Sequence, residues 1–252
     1  MTRPDWDFTG KIVAVTGATR GLGRQIVQGF ADRGASVVVV SRKASDCEAT
    51  TAELTAAGAT AVAIPCDVSQ WAAGEELVKG IAARFGRLDV LVNNAGMSPV
   101  LRRLTDLDEA GYDAIFNTNV KSVFRLSTLA AELMKTNGGG AIVNISSTAA
   151  VLAPAAVAPY AGAKAAVEAL TRGLARSYGP KVRVNAIQCG TFRTDLTAGF
   201  VDLPAFQQQV QMTNPARRIG DPTEVVGAAL YLASDLASYT SGAVLKVDGG
   251  EA

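Results

Sequence analysis

The chain has 252 residues, 48% of them hydrophobic and 19% charged, with a formal net charge of +1. That balance suits a single globular domain over residues 1–252, argues against disorder, and gives no electrostatic reason to expect nucleic acid or an anionic membrane as partner. The chain has no histidine, which excludes Ser-His and Cys-His nucleophile pairs, His-ligated metals and a His general base. Cys47, Cys66 and Cys189 are too scattered for a zinc ribbon or disulfide framework, so no metal is expected.

Residues 1–8 are polar and carry Arg3, Asp5 and Asp7, which does not read as a signal peptide. The first strand is expected over residues 12–15, Ile-Val-Ala-Val, apolar throughout as a strand covered on both faces should be. It runs into Thr16-Gly17-Ala18-Thr19-Arg20-Gly21-Leu22-Gly23. Three glycines in a strand-to-helix turn let backbone approach a pyrophosphate, and the helix N-terminus behind offers unpaired N–H groups. No Gly-Lys-Ser/Thr follows, so this is not a P-loop. The helix over residues 22–33 carries Ile26, Val27 and Phe30 on one face and stops at Gly34.

A second strand, residues 37–40, ends at Ser41-Arg42-Lys43. A carboxylate here would bond the ribose 2′-hydroxyl of NAD; Arg42 and Lys43, with Arg20, instead suit a 2′-phosphate and predict NADP. Helix 46–57 stops at Gly58, and a third strand, 61–64, precedes Cys66-Asp67-Val68. Helix 69–85 stops at Gly86, and strand 90–92 leads into Asn93-Asn94-Ala95-Gly96. One long helix is expected over residues 112–135, then strand 141–145, helix 160–178 and strand 182–187. Residues 188–218 form a long irregular segment, the usual signature of a substrate loop. Asp221-Pro222-Thr223-Glu224 opens the last helix, and 243–247 is the seventh strand. Strand–helix alternation implies an α/β, Rossmann-type, doubly wound parallel sheet with helices on both faces. No apolar run reaches the ~20 residues a membrane helix needs, so a cytoplasmic protein is expected.

Tyr160 and Lys164 stand four apart at the start of a helix and share a face. A tyrosine near pKa 10 needs about 4 kcal/mol to move ~3 units toward neutrality. A cation about 4 Å away at an effective dielectric near 20 supplies that order of energy. The pair is adequate acid–base chemistry for a chain without histidine.

Together these motifs resemble the short-chain dehydrogenase/reductase family over essentially the whole chain from about Phe8. The matching segments are Thr16-Gly17-x-x-x-Gly21-x-Gly23, Asn93-Asn94-Ala95-Gly96, Asn119 in Asn117-Thr118-Asn119-Val120, Ser146-Ser147 after the fifth strand, and Tyr160-x-x-x-Lys164. The resemblance implies that Tyr160 is the general acid or base and that Lys164 lowers its pKa and holds the nicotinamide ribose. It also implies that Ser147 bonds the substrate oxygen and that Asn119 organises a water path from Lys164. Gly17, Thr19, Arg20, Gly21, Leu22, Gly23, Ser41, Arg42, Lys43, Asp67, Val68, Asn94, Ala95, Gly96, Gly190 and Thr194 would contact the cofactor. The family usually has Pro where this chain has Cys189, which removes a fixed φ from that turn.

The implied activity is reversible hydride transfer between NADP and a carbonyl or secondary alcohol that is a ketone, an oxoacyl compound or sugar-like. The alternatives are a non-catalytic NADP-binding regulator or an epimerase or dehydratase on the same fold. Met97, Pro99, Leu152, Pro154, Cys189, Phe192, Phe200, Leu203 and Phe206 are candidate pocket walls for a hydrophobic or medium-sized ketone. Arg102, Arg103 and Arg193 could meet an acidic group, though solvated surface charge is the simpler reading. The resemblance further implies a homotetramer.

Overall fold

The computed structural model describes residues 6–252; the reading of the first five residues as no part of a leader lies outside the described residues. Seven strands form one all-parallel sheet in the order β3-β2-β1-β4-β5-β6-β7. They are β1 (Ile12–Thr16), β2 (Ser36–Val40), β3 (Ala61–Ala63), β4 (Val90–Asn93), β5 (Gly140–Ser147), β6 (Val182–Cys189) and β7 (Val244–Val247). The order reverses between β1 and β4, and a crevice at such a switch point is where ligands bind in open α/β sheets.

Alternation along the apolar strands explains why both faces are covered. Val13, Val15, Val37 and Val39 point into one core with Ile26, Phe30 and Leu230. Ile12, Ala14, Val38 and Val40 point into the other, with Leu77, Ile81, Leu126 and Met134. The first face is covered by α1 (Gly21–Ala31), α2 (Ala44–Ala56) and α9 (Val226–Ala233). The second is covered by α3 (Trp71–Phe85), α5 (Ser122–Thr136) and α7 (Ala158–Tyr178). Gly86 ends α3 with φ +71, the left-handed cap that glycine adopts without strain. Asp221 caps the turn Pro222–Val225 ahead of α9 in a reciprocal pair with Glu224.

Two expectations need correction. The long helix over 112–135 is instead α4 (Glu109–Phe116), a π turn (Asn117–Lys121) and then α5. Inserting the extra residue turns Asn119 inward, where its amide donates to Met97 O and Ile115 O, both at 2.9 Å. Residues 188–218 are not irregular throughout: Pro204 starts a ten-residue helix, α8 (Pro204–Thr213), and Cys189 still belongs to β6. Between β5 and α7 lies the short α6 (Ala149–Leu152). Among the described residues no helix is long and apolar enough to cross a membrane, and no metal-binding cluster of His, Cys, Asp or Glu is present.

Candidate active site

A crevice of about 510 Å³ opens at the carboxyl ends of the strands. At one end lies the glycine turn. Gly17 has φ +65, and a Cβ on it would stand 2.8 Å from Asn94 Nδ2; a Cβ on Gly23 would stand 2.2 Å from Gly17 O. Side chains at either position would fill the space between turn and helix. Thr16 Oγ1 accepts the N–H groups of Asn94 and Ala95, both at 3.0 Å, tying the end of β4 to the end of β1. Asn94 Nδ2 donates to Thr16 O at 2.8 Å and Gly17 O at 3.2 Å, so its amide braces the turn. The N-terminus of α1 has no side-chain cap and no acidic residue in its first turn. Its free N–H groups and positive dipole end face the crevice, which is the chemistry a pyrophosphate requires. The residues present therefore fit a dinucleotide.

Thr19, Arg20, Gly21, Leu22, Ser41, Arg42, Lys43, Asp67 and Val68 line the same end. Thr19 donates to Ser41 Oγ at 3.3 Å. Asp67 Oδ1 accepts from the N–H (3.1 Å) and hydroxyl (2.8 Å) of Ser69, which orients the carboxylate. Arg20 reaches across to Asp195 at 3.8 Å, an exposed pair worth little by itself. Neither Arg42 nor Lys43 makes an ion pair among the described residues.

At the other end β5 and β6 run side by side, with Ser147 opposite Cys189. Tyr160 enters from the first turn of α7, and Lys164 follows one turn on. Lys164 donates to Ile145 O at 2.8 Å, and its Nζ stands 5.6 Å from the centre of the tyrosine ring. Burial pushes the phenol up to about 12, against a smaller downward pull from its hydrogen bond with Ser147. Burial likewise brings the Lys164 ammonium down to about 8. Burial, not Lys164, dominates the shift of the phenol in this geometry. The ammonium donates to a backbone carbonyl, and desolvation is the larger cause of each shift.

Ala95, Gly96, Gly190 and Thr194 complete the lining already expected, but Gly23 and Asn119 do not reach it. Gly23 is packed against the carbonyl of Gly17, and Asn119 lies one layer back, behind Gly96. A Cβ on Gly96 would stand 2.8 Å from Asn119 Oδ1 and 3.6 Å from Lys164 Nζ, so the three groups are stacked. Thr118, Asp46, Ser146, Asp195, Leu196 and Thr197 line the crevice without having been anticipated. Thr118 and Ser146 lie inside the Asn117-Thr118-Asn119-Val120 and Ser146-Ser147 segments, and Thr197 is tied to Thr194, whose N–H donates to Thr197 Oγ1 at 3.0 Å.

Of the expected pocket walls, Met97, Cys189 and Phe192 line the crevice. Pro99, Leu152, Pro154, Phe200, Leu203 and Phe206 do not: Leu152 and Leu203 stand out on the surface, while Phe200 and Phe206 pack edge to face on each other. Arg193 is paired with Asp202, and Arg103 with Asp106 at 3.9 Å. All three cysteines are buried and free.

Comparison with known proteins agrees with this geometry. A family model described as enoyl-(acyl carrier protein) reductase matches residues 17–251. The chain is 38% identical to the A-factor type gamma-butyrolactone 1′-reductase (1S-forming) of Streptomyces virginiae, over 99% of this chain and 98% of that protein. It is 37% identical to the 7alpha-hydroxysteroid dehydrogenase of Escherichia coli strain K12, over 96% and 94% of the two chains. Its fold superposes with a TM-score of 0.94 on a gluconate 5-dehydrogenase of Burkholderia cenocepacia solved with NADP and tartrate, at 31% identity over 98% and 97% of the chains. The chain therefore belongs to the short-chain dehydrogenase/reductase family and is an oxidoreductase of CH–OH and C=O groups.

Proposed function

We propose that the protein is an NADP-preferring reductase or dehydrogenase acting on a neutral, largely apolar ketone or secondary alcohol, with Tyr160 as the proton donor or acceptor. The observation that carries the reading is the convergence of Ser147, Tyr160 and Lys164 on one end of a crevice whose other end is a glycine turn. The bound nicotinamide supplies the hydride. The turn and the N-terminus of α1 hold the pyrophosphate, and Asp67 and Val68 border the adenine. Ala95, Gly96, Gly190, Thr194 and Lys164 hold the nicotinamide end. Tyr160 gives its phenolic proton to the substrate oxygen, and Ser147 donates a hydrogen bond to the same atom. A phenol pushed up to about 12 is fully protonated at neutral pH, the state that carbonyl reduction needs.

The preference for NADP rests on Arg42 and Lys43, two cations on the crevice wall just after β2 that make no ion pair among the described residues. The apolar substrate rests on charge placement. Arg193 and Arg103 face Asp202 and Asp106, while Met97, Phe192 and Leu196 put apolar side chains on the crevice lining. The segment over about 188–218 serves as the substrate loop of one catalytic domain over residues 1–252. A cytoplasmic homotetramer is consistent with this reading.

The test is NADPH oxidation, followed by its absorbance, against a panel of apolar ketones, polyhydroxy ketones and keto acids, for wild type and Tyr160→Phe. Turnover of apolar ketones that drops by about 10²–10⁴ in the variant, with NADPH affinity kept, supports the assignment. Undiminished turnover in Tyr160→Phe removes the proton donor, and a wild type that reduces none of the panel favours the binding-protein alternative.

A further inference from the structure

Residues 247–251 hold both ends of the substrate loop. At its start, Gly190 N donates to Val247 O at 3.0 Å, and a Cβ on Gly190 would stand 2.7 Å from Asp248 Cα. At its end, Asn214 Nδ2 donates to Asp248 O at 2.9 Å and Ala216 N to Gly249 O at 3.0 Å. Glu251 closes the arrangement. Its Oε2 accepts the backbone N–H of Thr191 at 3.0 Å and the hydroxyl of Thr148 at 3.5 Å, and its Oε1 accepts the hydroxyl of Thr191 at 3.4 Å. Thr191 precedes Thr194 by one turn of loop, and Thr148 directly follows Ser147.

We propose that Glu251 is a positioning residue: its carboxylate clasps Thr191 and Thr148 and so sets Thr194 and Ser147 relative to each other across the crevice. This rests on the functional reading above. An ionised carboxylate offers about four acceptor sites, enough for three donors from two loops, and charge-assisted bonds are the stronger kind. The substitution of Cys189 for the usual proline gives the clasp its purpose. The β6 exit has no ring to fix its backbone, and the carboxylate restrains it two residues on. The clasp holds a short segment of the loop and contributes no side chain to either core. Its removal should therefore loosen the crevice and leave the global fold in place.

The experiment compares Glu251→Ala, Glu251→Asp and Glu251→Gln in the full chain. The readouts are NADPH affinity by fluorescence, trypsin cleavage after Arg193, Arg217 and Arg218 under native conditions, and thermal midpoint; kcat and KM are added with any ketone the wild type accepts. Alanine should weaken NADPH binding about tenfold and speed cleavage in this segment at least as much. Aspartate, one methylene too short, should behave like alanine, whereas glutamine keeps the acceptor for Thr191 N–H and should restore most of the binding. All three should keep the wild-type midpoint. Alanine and aspartate variants that bind NADPH and resist trypsin as wild type does would overturn the proposal, as would a midpoint that falls in step with the binding. If alanine misfolds, the aspartate–glutamine contrast still decides. Binding and proteolysis need no substrate, so a wild type inactive on every ketone would defeat the functional reading and leave this one tested.

Discussion

Lys164 donates its ammonium to the backbone carbonyl of Ile145 at 2.8 Å, although 19 residues separate the two along the chain. Ile145 lies two residues before Ser147 on β5, so this bond fixes the face of α7 that carries Tyr160 against the strand that delivers the serine. It also holds a charge where water is largely excluded, which is why its pKa falls to about 8.

That shift sets a pH dependence. The charged form is the one that can hold ribose hydroxyls as a cation, so kcat/KM for NADPH should fall as pH rises through about 8. Tyr160, pushed up to about 12, does not contribute to that limb. Lys164→Arg, charged throughout, should move the fall to higher pH; a wild-type profile flat to pH ~10 would refute the assignment. Stability should respond with the opposite sign. The lysine binds its proton up to its ordinary 10.5 when unfolded but only to about 8 when folded, so stability rises across that window. Lys164→Met should abolish turnover and yet raise stability at pH 7 by about 1 kcal/mol, because it removes a buried charge.

Cofactor choice should turn on Arg42. Arg42→Asp places a carboxylate where a ribose hydroxyl would be read and a phosphate repelled. We expect kcat/KM for NADPH to fall about 10–100-fold, the worth of one charge-assisted contact plus repulsion, with that for NADH equal or improved. A wild type that already prefers NADH refutes the NADP reading.

The thiols should be inert. Burial raises Cys66 to about 11 and Cys189 to about 12, and moves Cys47 in the same direction. The thiolate is the reactive form. Intact protein treated with iodoacetamide at pH 8 should take up no label, while denatured protein should take up 3 per chain, read by mass. Labelling of Cys189 in the folded state would show that the crevice floor opens.

A buried polar chain should carry measurable stability. Asn93 Nδ2 donates to Ser127 Oγ at 3.0 Å and Asn144 Oδ1 at 2.8 Å, and Asn144 Nδ2 donates to Thr171 Oγ1 at 2.9 Å. It links α5, β4, β5 and α7 beneath the crevice. Asn144→Leu matches the volume but takes one of two hydrogen bonds from each of Asn93 Nδ2 and Thr171 Oγ1, at roughly 1 kcal/mol each. The thermal midpoint should fall by about 4–8 °C. A loss under ~1 °C would mean the neighbours find other partners.

Much of this molecule is written locally along the chain. Runs such as Val37–Val40 could only be strands covered on both faces, and Gly34, Gly58 and Gly86 end helices because each takes a left-handed φ that other residues resist. The glycine turn and the Tyr160–Lys164 pair were legible for the same reason: their meaning lies in spacing within one element. The π turn was not, because Asn117-Thr118-Asn119-Val120-Lys121 has no feature distinguishing it from ordinary helix until Asn119 finds Met97 and Ile115 to bond. Nor was the rim. Leu152 and Leu203 read as pocket wall because they are apolar, but the end of α6 and the turn before α8 carry them outward.

Composition, periodicity and motif spacing were enough to specify a parallel α/β sheet with a glycine turn after its first strand and a Tyr160–Lys164 pair in a chain without histidine. Those properties depend on residues near one another in the chain. The direction in which Tyr160 and Lys164 titrate, the stacking of Asn119 behind Gly96 and the grip of Glu251 on Thr191 and Thr148 were settled by folding alone. Each depends on burial, or on a contact between segments up to 103 residues apart, and neither quantity exists until the sheet has assembled.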